Sequence, residues 1–247
     1  MYSNGYIFRY AAILVIIAAA ALSSANMLLK PYQEKNVAIE KMKGILASAQ
    51  IEGIETDNTI EEFNKYVVEE KLINSKGEVI DSYKKGNMED GKAFKINMKE
   101  ELFNKTQGKD FDLPVYVINK GGKTIYVLPL LGTGLWGPIW GNMALKDDFN
   151  TIVGMTFGDK GETPGLGGEI TTDQFKNQFI GKKIFDDKGN FTSIKVVKGG
   201  IKRLPAAEQI HGVDAISGGT ITSNGVDAML SNVLESYLPY IEKQRKQ

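Results

Sequence analysis

The sequence predicts an α+β protein: a single N-terminal transmembrane helix, then a globular domain with an antiparallel sheet and flanking helices. Three observations carry this prediction. Residues 6–29 form one long apolar stretch, uncharged from residue 11 to residue 22. Residues 115–118 and 124–128 are rich in β-branched and aromatic side chains and flank Gly121-Gly122, a hairpin pattern. Near the C-terminus, Val226, Met229, Leu230, Val233 and Tyr237 recur at helical spacing.

Taken in order, the first element is the apolar stretch. As a helix it reaches roughly 36 Å, enough to cross a hydrocarbon core of about 30 Å. Arg9 and Lys30 lie near its ends, where their stems snorkel to the interface. A cleaved signal peptide is the competing reading, with Ser23-Ser24-Ala25 as cleavage site. Met27-Leu28-Leu29 resume the apolar character, which favours a retained anchor over residues 1–30. Lys30, Lys35, Lys41 and Lys43 follow the span while Arg9 precedes it, so charge does not decide its orientation.

Residues 31–110 read as a helical stalk and the first part of the soluble domain. Pro31 is predicted to end or kink the first helix. A polar helix follows over residues 33–50, with Val37, Met42, Ile45 and Leu46 along one side. A second helix is predicted over residues 60–72, carrying Phe63, Tyr66 and Val67, with Asp57 or Thr59 as cap. Residues 73–110 are polar and lysine-rich, with alternation at residues 93–98. Residues 111–247 read as the main domain. After the hairpin, strands are predicted at residues 150–157 and 191–197, the second preceded by a turn at residues 187–190. A terminal helix spans residues 224–243, bent or ended by Pro239.

Composition narrows the chemistry. The 30 basic and 30 acidic residues cancel to a net charge of +0, which gives no electrostatic case for nucleic acid. Cysteine is absent, so disulfides and thiolate-bound clusters are excluded. The single histidine, His211, makes a histidine metal site or a Ser-His-Asp triad improbable and reads as a loop or surface residue. Redox chemistry would therefore need an organic cofactor, and no residue is assigned as catalytic or metal-ligating.

Gly132-Thr133-Gly134-Leu135-Trp136-Gly137 matches the dinucleotide pattern G-x-G-x-x-G. Pro138 and Gly141 follow at once, and the next predicted strand begins near Asn150. That leaves no room for a crossover helix, so direct NADH binding here is rejected. The same residues read either as a tight turn with Trp136 in the core, or as a backbone approaching a flat ring walled by Leu135 and Trp136. Glu162-Thr163-Pro164-Gly165-Leu166-Gly167-Gly168-Glu169 reads as a loop.

Asp214-Ala215-Ile216-Ser217-Gly218-Gly219-Thr220 places a threonine hydroxyl on a glycine-rich loop that opens a helix. A helix start offers free N–H groups and a positive dipole end, which suit a phosphate. Thr220, Thr222 and Ser223 equally suit turn and N-cap positions.

This segment resembles the flavinylation motif Asp-x-x-Ser/Thr-Gly-Ala-Thr, with Gly219 in place of alanine. With the two glycine segments and the apolar N-terminus, the chain resembles the C subunits of Na+-translocating NADH:quinone reductases. The G subunits of Rnf electron-transport complexes share the flavin motif. The resemblance implies an FMN-binding domain over residues 111–247, with FMN joined to Thr220 by a phosphoester. Asp214, Ser217, Gly218 and Gly219 would form the loop read by a flavin transferase. Leu135, Trp136, Glu162, Thr163, Gly165 and Leu166 would surround the isoalloxazine, and Lys198 would stabilise negative charge on it. The implied role is electron relay from NADH towards quinone inside a multisubunit sodium pump, inactive in isolation. Partners would be the other subunits and membrane lipid. The anchor would lie in the inner membrane, with the FMN domain on the periplasmic side. An Rnf-type subunit, or a non-redox extracytoplasmic binding module, is the alternative.

Overall fold

The computed structural model describes residues 3–84 and 86–246. The ends of the predicted 1–30 and 111–247 segments, at residues 1, 2 and 247, and Lys85 within the polar segment, lie outside the described residues. The chain divides into two compact units, Met1–Lys41 and Met42–Gln247.

Helix α1, Asn4–Ser48, forms the first unit from Asn4 onwards and continues into the second. Its apolar window has a mean hydropathy of 2.2, and the helix is long enough to cross a membrane. Pro31 neither ends it nor separates it from a stalk helix; α1 runs through. Proline removes one N–H, leaving the Met27 carbonyl without its helical partner. The surrounding Ala, Leu, Met, Lys, Glu and Gln residues are strong helix formers and carry the helix across.

The second unit starts with the last turns of α1. Met42, Ile45, Leu46 and Ala49 are fully buried, whereas Val37, in the first unit, is exposed. Thr156 donates to the Gly44 carbonyl at 3.1 Å. The Lys120 ammonium donates to the Ala49 and Gln50 carbonyls, groups that a helix C-terminus leaves without partners.

The predicted helix over residues 60–72 is a helix and then a strand: α2, Thr59–Tyr66, and β1, Val67–Asn74. Val67, Leu72 and Ile73 are buried in the sheet, and pairing on both sides outweighs the helix preference of the charged residues 69–71. Neither proposed cap forms. Asn58 precedes the helix, and Thr59 Oγ1 donates to the Glu55 carbonyl. The polar segment holds β2, Val79–Tyr83, α3, Lys92–Lys95, and α4, Met98–Thr106. The alternation at residues 93–98 thus falls on the end of α3, the link at residues 96 and 97, and the start of α4.

The hairpin forms as predicted, with β3, Asp112–Lys120, paired to β4, Lys123–Thr133, across the glycine turn. A strand absent from the prediction follows: β5, Pro138–Lys146, then β6, Ile152–Asp159, at the expected place. The six strands form one antiparallel sheet in the order β2-β1-β3-β4-β5-β6. After α5, Asp173–Lys176, the predicted strand at residues 191–197 shrinks to β7, Lys195–Val197. It pairs in parallel with β8, Gly212–Asp214, outside the main sheet. The turn before it is held by Asp186, whose carboxylate accepts the N–H groups of Lys188 and Asn190.

Helix α6, Thr220–Arg245, starts earlier than predicted and passes through Pro239. Its apolar stripe, Val226, Met229, Leu230, Val233, Leu234 and Tyr237, fills the core against β3–β6. The Tyr237 hydroxyl lies 3.0 Å from the Pro114 carbonyl and 3.1 Å from that of Pro129, bonding the helix to two strands. On the opposite face Tyr116 meets Phe63 edge to face.

Candidate functional site

Three segments converge beside the first turn of α6. The first is the β4–β5 turn, where the Gly134 N–H bonds the Gly137 carbonyl at 2.8 Å. The hairpin confirms that no dinucleotide crossover follows the glycine pattern. Trp136 is 67% exposed, which overturns the core reading and leaves the indole free to wall a ligand. The second segment is the loop after β6. Asp159 accepts the Glu162 N–H at 2.7 Å, and the Thr163 carbonyl accepts the N–H groups of Leu166 and Gly168. The third is the loop before α6. Gly218 there has φ +79°, a conformation that a side chain resists, which accounts for one glycine of the motif.

Close approaches lock the three together. A Cβ on Gly225 would lie 2.3 Å from the Thr133 carbonyl oxygen, so only glycine lets α6 rest on the end of β4. A Cβ on Gly167 would lie 2.3 Å from Glu162 Oε2. Glu162, in the second segment, ties the first to the start of α6. Its Oε1 accepts the Trp136 N–H at 2.8 Å, and its Oε2 accepts the Thr222 hydroxyl at 2.6 Å.

The result is a cavity of about 220 Å³. Leu135, Trp136, Glu162, Thr163, Leu166, Gly218, Gly219 and Thr220, all among the residues that the resemblance singled out, line it. Gly167, Ile221 and Thr222 complete the lining and were not among the expected residues. Ile221 was legible as the residue after the motif threonine; the Glu162–Thr222 pairing had no local signal. Asp214, Ser217, Gly165 and Lys198 do not line the cavity. The Asp214 carboxylate accepts the Ile201 N–H at 2.7 Å and pins the loop beyond β7. Ser217 is exposed beside the motif glycines, and Gly165, φ +78°, shapes the second loop. Lys198 is exposed just past β7.

Two helix-cap readings are corrected. Thr222 and Ser223 are buried within α6, and among the described residues no side chain caps its N-terminus. Ser223 Oγ accepts the Ile216 N–H at 3.1 Å, closing the motif loop onto the helix. Thr220 is exposed, lines the cavity and makes no hydrogen bond through its hydroxyl to the described residues. His211 is buried rather than on the surface. Its Nδ1 donates to the Lys183 carbonyl at 2.6 Å, away from the cavity. Among the described residues no acidic, histidine or cysteine cluster suits a metal ion.

The chemistry of this arrangement is specific. Apolar side chains of Leu135, Trp136, Leu166 and Ile221 stand exposed around glycine backbone, the form of a slot for a flat ring. An uncapped helix start with a free hydroxyl suits a phosphate. Pockets that swallow a whole ligand measure roughly 300–1,000 Å³. The smaller cavity here fits a group held at one edge and open at the other.

Fold and site define a domain with a ligand cavity, and the family match identifies it as an FMN-binding domain. The family of that description matches residues 134–235, which contain the whole cavity. Over 221 residues the chain is 33% identical to the C subunit of the Vibrio anguillarum Na(+)-translocating NADH-quinone reductase, covering 86% of this chain and 83% of that one. The solved structure of the same subunit from Parabacteroides distasonis is 38% identical, with a TM-score of 0.73 over 86% of this chain and 96% of its own. That of Shewanella oneidensis NqrC is 30% identical, with a TM-score of 0.66 over 85% and 98%. The chain belongs to the family of Na(+)-translocating NADH-quinone reductase C subunits.

Proposed function

We propose that the chain is the membrane-anchored component of a Na+-translocating NADH:quinone reductase that carries FMN covalently on Thr220 and relays electrons from NADH towards quinone. The observation that carries this reading is the hydroxyl pattern of α6. Thr220 is exposed, unbonded and faces the cavity, whereas Thr222 and Ser223 are buried and bonded. Attachment uses a flavin transferase with FAD as donor. The Thr220 hydroxyl oxygen forms the new bond to the FMN phosphorus, AMP departs, and the hydroxyl proton leaves with a base of the transferase. Bound FMN supplies reversible electron uptake. Leu135, Trp136 and Leu166 would wall the ring, and Thr163 would offer a hydrogen bond to its edge. The uncapped N-terminus of α6 faces the phosphate. Asp214 and Ser217, outside the cavity, shape the loop that the transferase reads. Lys198, also outside it, contributes positive charge at longer range.

The same reading makes the chain one component of a larger enzyme. The cavity is open at its rim, as a carrier needs. An NADH-oxidising flavoprotein subunit feeds electrons in, and a second flavin subunit takes them on towards quinone. The apolar part of α1, up to residue 30, anchors the chain in the inner membrane, with the domain on the periplasmic side.

The test is to co-express the full chain with a flavin transferase, denature it, and map flavin-bearing peptides by mass spectrometry. Thr220→Ala is expected to fold and carry no covalent flavin, and Ser223→Ala to keep it. Flavin retained by Thr220→Ala would refute the placement.

A further inference from the structure

Glu162 lies in the cavity wall, yet the relay described above gives it no task. Its side chain is only 6% exposed. Both carboxylate oxygens are met by donors, the Trp136 N–H at 2.8 Å and the Thr222 hydroxyl at 2.6 Å. Both donors are neutral, and Glu162 takes part in no ion pair among the described residues. A buried charge without a counter-ion is costly, and proteins replace it with a neutral group where only shape is required. Here the surroundings demand an acceptor on each side. Glutamine would set an NH2 group against one of the two donors, whereas a carboxylate satisfies both. Gly134 and Gly167 leave room for it, since a Cβ on either would lie 2.5 Å or 2.3 Å from a carboxylate oxygen.

We infer that Glu162 is a fixed negative charge that lowers the reduction potential of the flavin carried at Thr220. The inference rests on the FMN reading above. Reduction adds negative charge to the ring, and a carboxylate in the wall of the same cavity opposes it. The opposition is stronger in a partly dry cavity than in water. Hydrogen bonds from the Trp136 backbone N–H and the Thr222 hydroxyl hold the carboxylate in one place. The same two bonds join the ring-walling turn to the attachment helix, so the charge keeps its position relative to Thr220. Glu162 is thus a positioning and tuning residue, not a catalytic one.

The experiment is a spectroelectrochemical titration of the full chain in detergent, flavinylated by co-expression with a flavin transferase. Glu162→Gln removes the charge and should shift the midpoint to more positive potential. Thr222→Val leaves Glu162 in place but removes a donor that offsets its charge, and should shift the midpoint the opposite way. Thr222→Ser retains the donor and should match the unaltered chain. Loss of packing alone does not predict opposite signs for Glu162→Gln and Thr222→Val. An unchanged or more negative midpoint in Glu162→Gln overturns the inference. If Glu162→Gln fails to load or fold, Thr222→Val decides: a negative shift supports the inference, and no shift or a positive one overturns it. An unaltered chain bearing no flavin at Thr220 would remove the FMN reading itself. A loaded chain indifferent to Glu162→Gln would remove only the role of this residue.

Discussion

Replacing Gly225 by alanine tests whether the close approach of α6 to β4 builds the site. The added Cβ would lie 2.3 Å from the Thr133 carbonyl oxygen, against the 3.4 Å at which ordinary contact begins. The obstacle is strand backbone, and the Tyr237 bonds to Pro114 and Pro129 fix the helix further along. The start of α6 must therefore lift by about 1 Å, a strain of about 1–3 kcal/mol for an overpacked interface. Helix propensity acts the other way, favouring alanine over glycine by about 1 kcal/mol. The two effects differ in sign, so a denaturant titration separates them. We expect net destabilisation of up to about 2 kcal/mol, together with slower covalent flavin loading of the folded variant. Displacing a reacting group by about 1 Å is enough for a large loss of rate. Gly161→Ala is the control. Its Cβ would meet nothing within 4 Å, so stability should hold or rise. If Gly225→Ala is as stable as Gly161→Ala and loads flavin at the original rate, the close-packing argument fails.

Two further outcomes follow from the geometry. Trp136→Ala should shift the visible flavin spectrum while leaving attachment at Thr220 intact, because the bond to Glu162 uses the backbone N–H of residue 136. As the indole is exposed, unfolding should change by no more than about 0.5 kcal/mol; an unchanged spectrum would remove Trp136 from the ring wall. Asp148 concerns pH. Burial pushes its carboxyl up, but the Thr151 hydroxyl and the N–H groups of Thr151 and Asn150 outweigh burial and hold it below the usual range. Its contribution to stability is present above the unfolded value of about 3.9 and is lost as pH falls through the lower folded value. Asp148→Asn should therefore flatten the acid limb of a stability–pH curve, and parallel curves for the two proteins would refute the assignment.

What was readable in the sequence depended on how local the cause was. The β3–β4 hairpin was legible because Gly121-Gly122 and the flanking β-branched runs act over a dozen residues. The start of the site was legible for the same reason, since the motif glycines and Thr220 are contiguous. Strand β1 was misread because residues 69–71 are charged and follow a real helix; only pairing with β2 and β3 turns that segment into sheet. Strand β5 was missed because Pro138, Gly141 and Asn142 are poor strand residues. Gly141 is nonetheless needed, as a Cβ there would lie 2.3 Å from the Thr156 carbonyl oxygen. Pro31 and Pro239 interrupt hydrogen bonding without ending their helices, an outcome set by neighbouring helix formers and by packing. Least legible was the Glu162–Thr222 bond, whose partners stand sixty residues apart.

The walls of the cavity come from the β4–β5 turn, the loop after β6 and the first turn of the last helix. On a chain still emerging from the ribosome the first two can be present, but the third cannot yet be seated. Its seat depends on Tyr237, about four helical turns further on, reaching Pro114 and Pro129. A modifying enzyme that needs the assembled cavity would therefore meet its acceptor only on molecules in which Tyr237 has seated α6. Modification at this cavity would then report on folding, because copies with α6 unseated would lack one of its three walls.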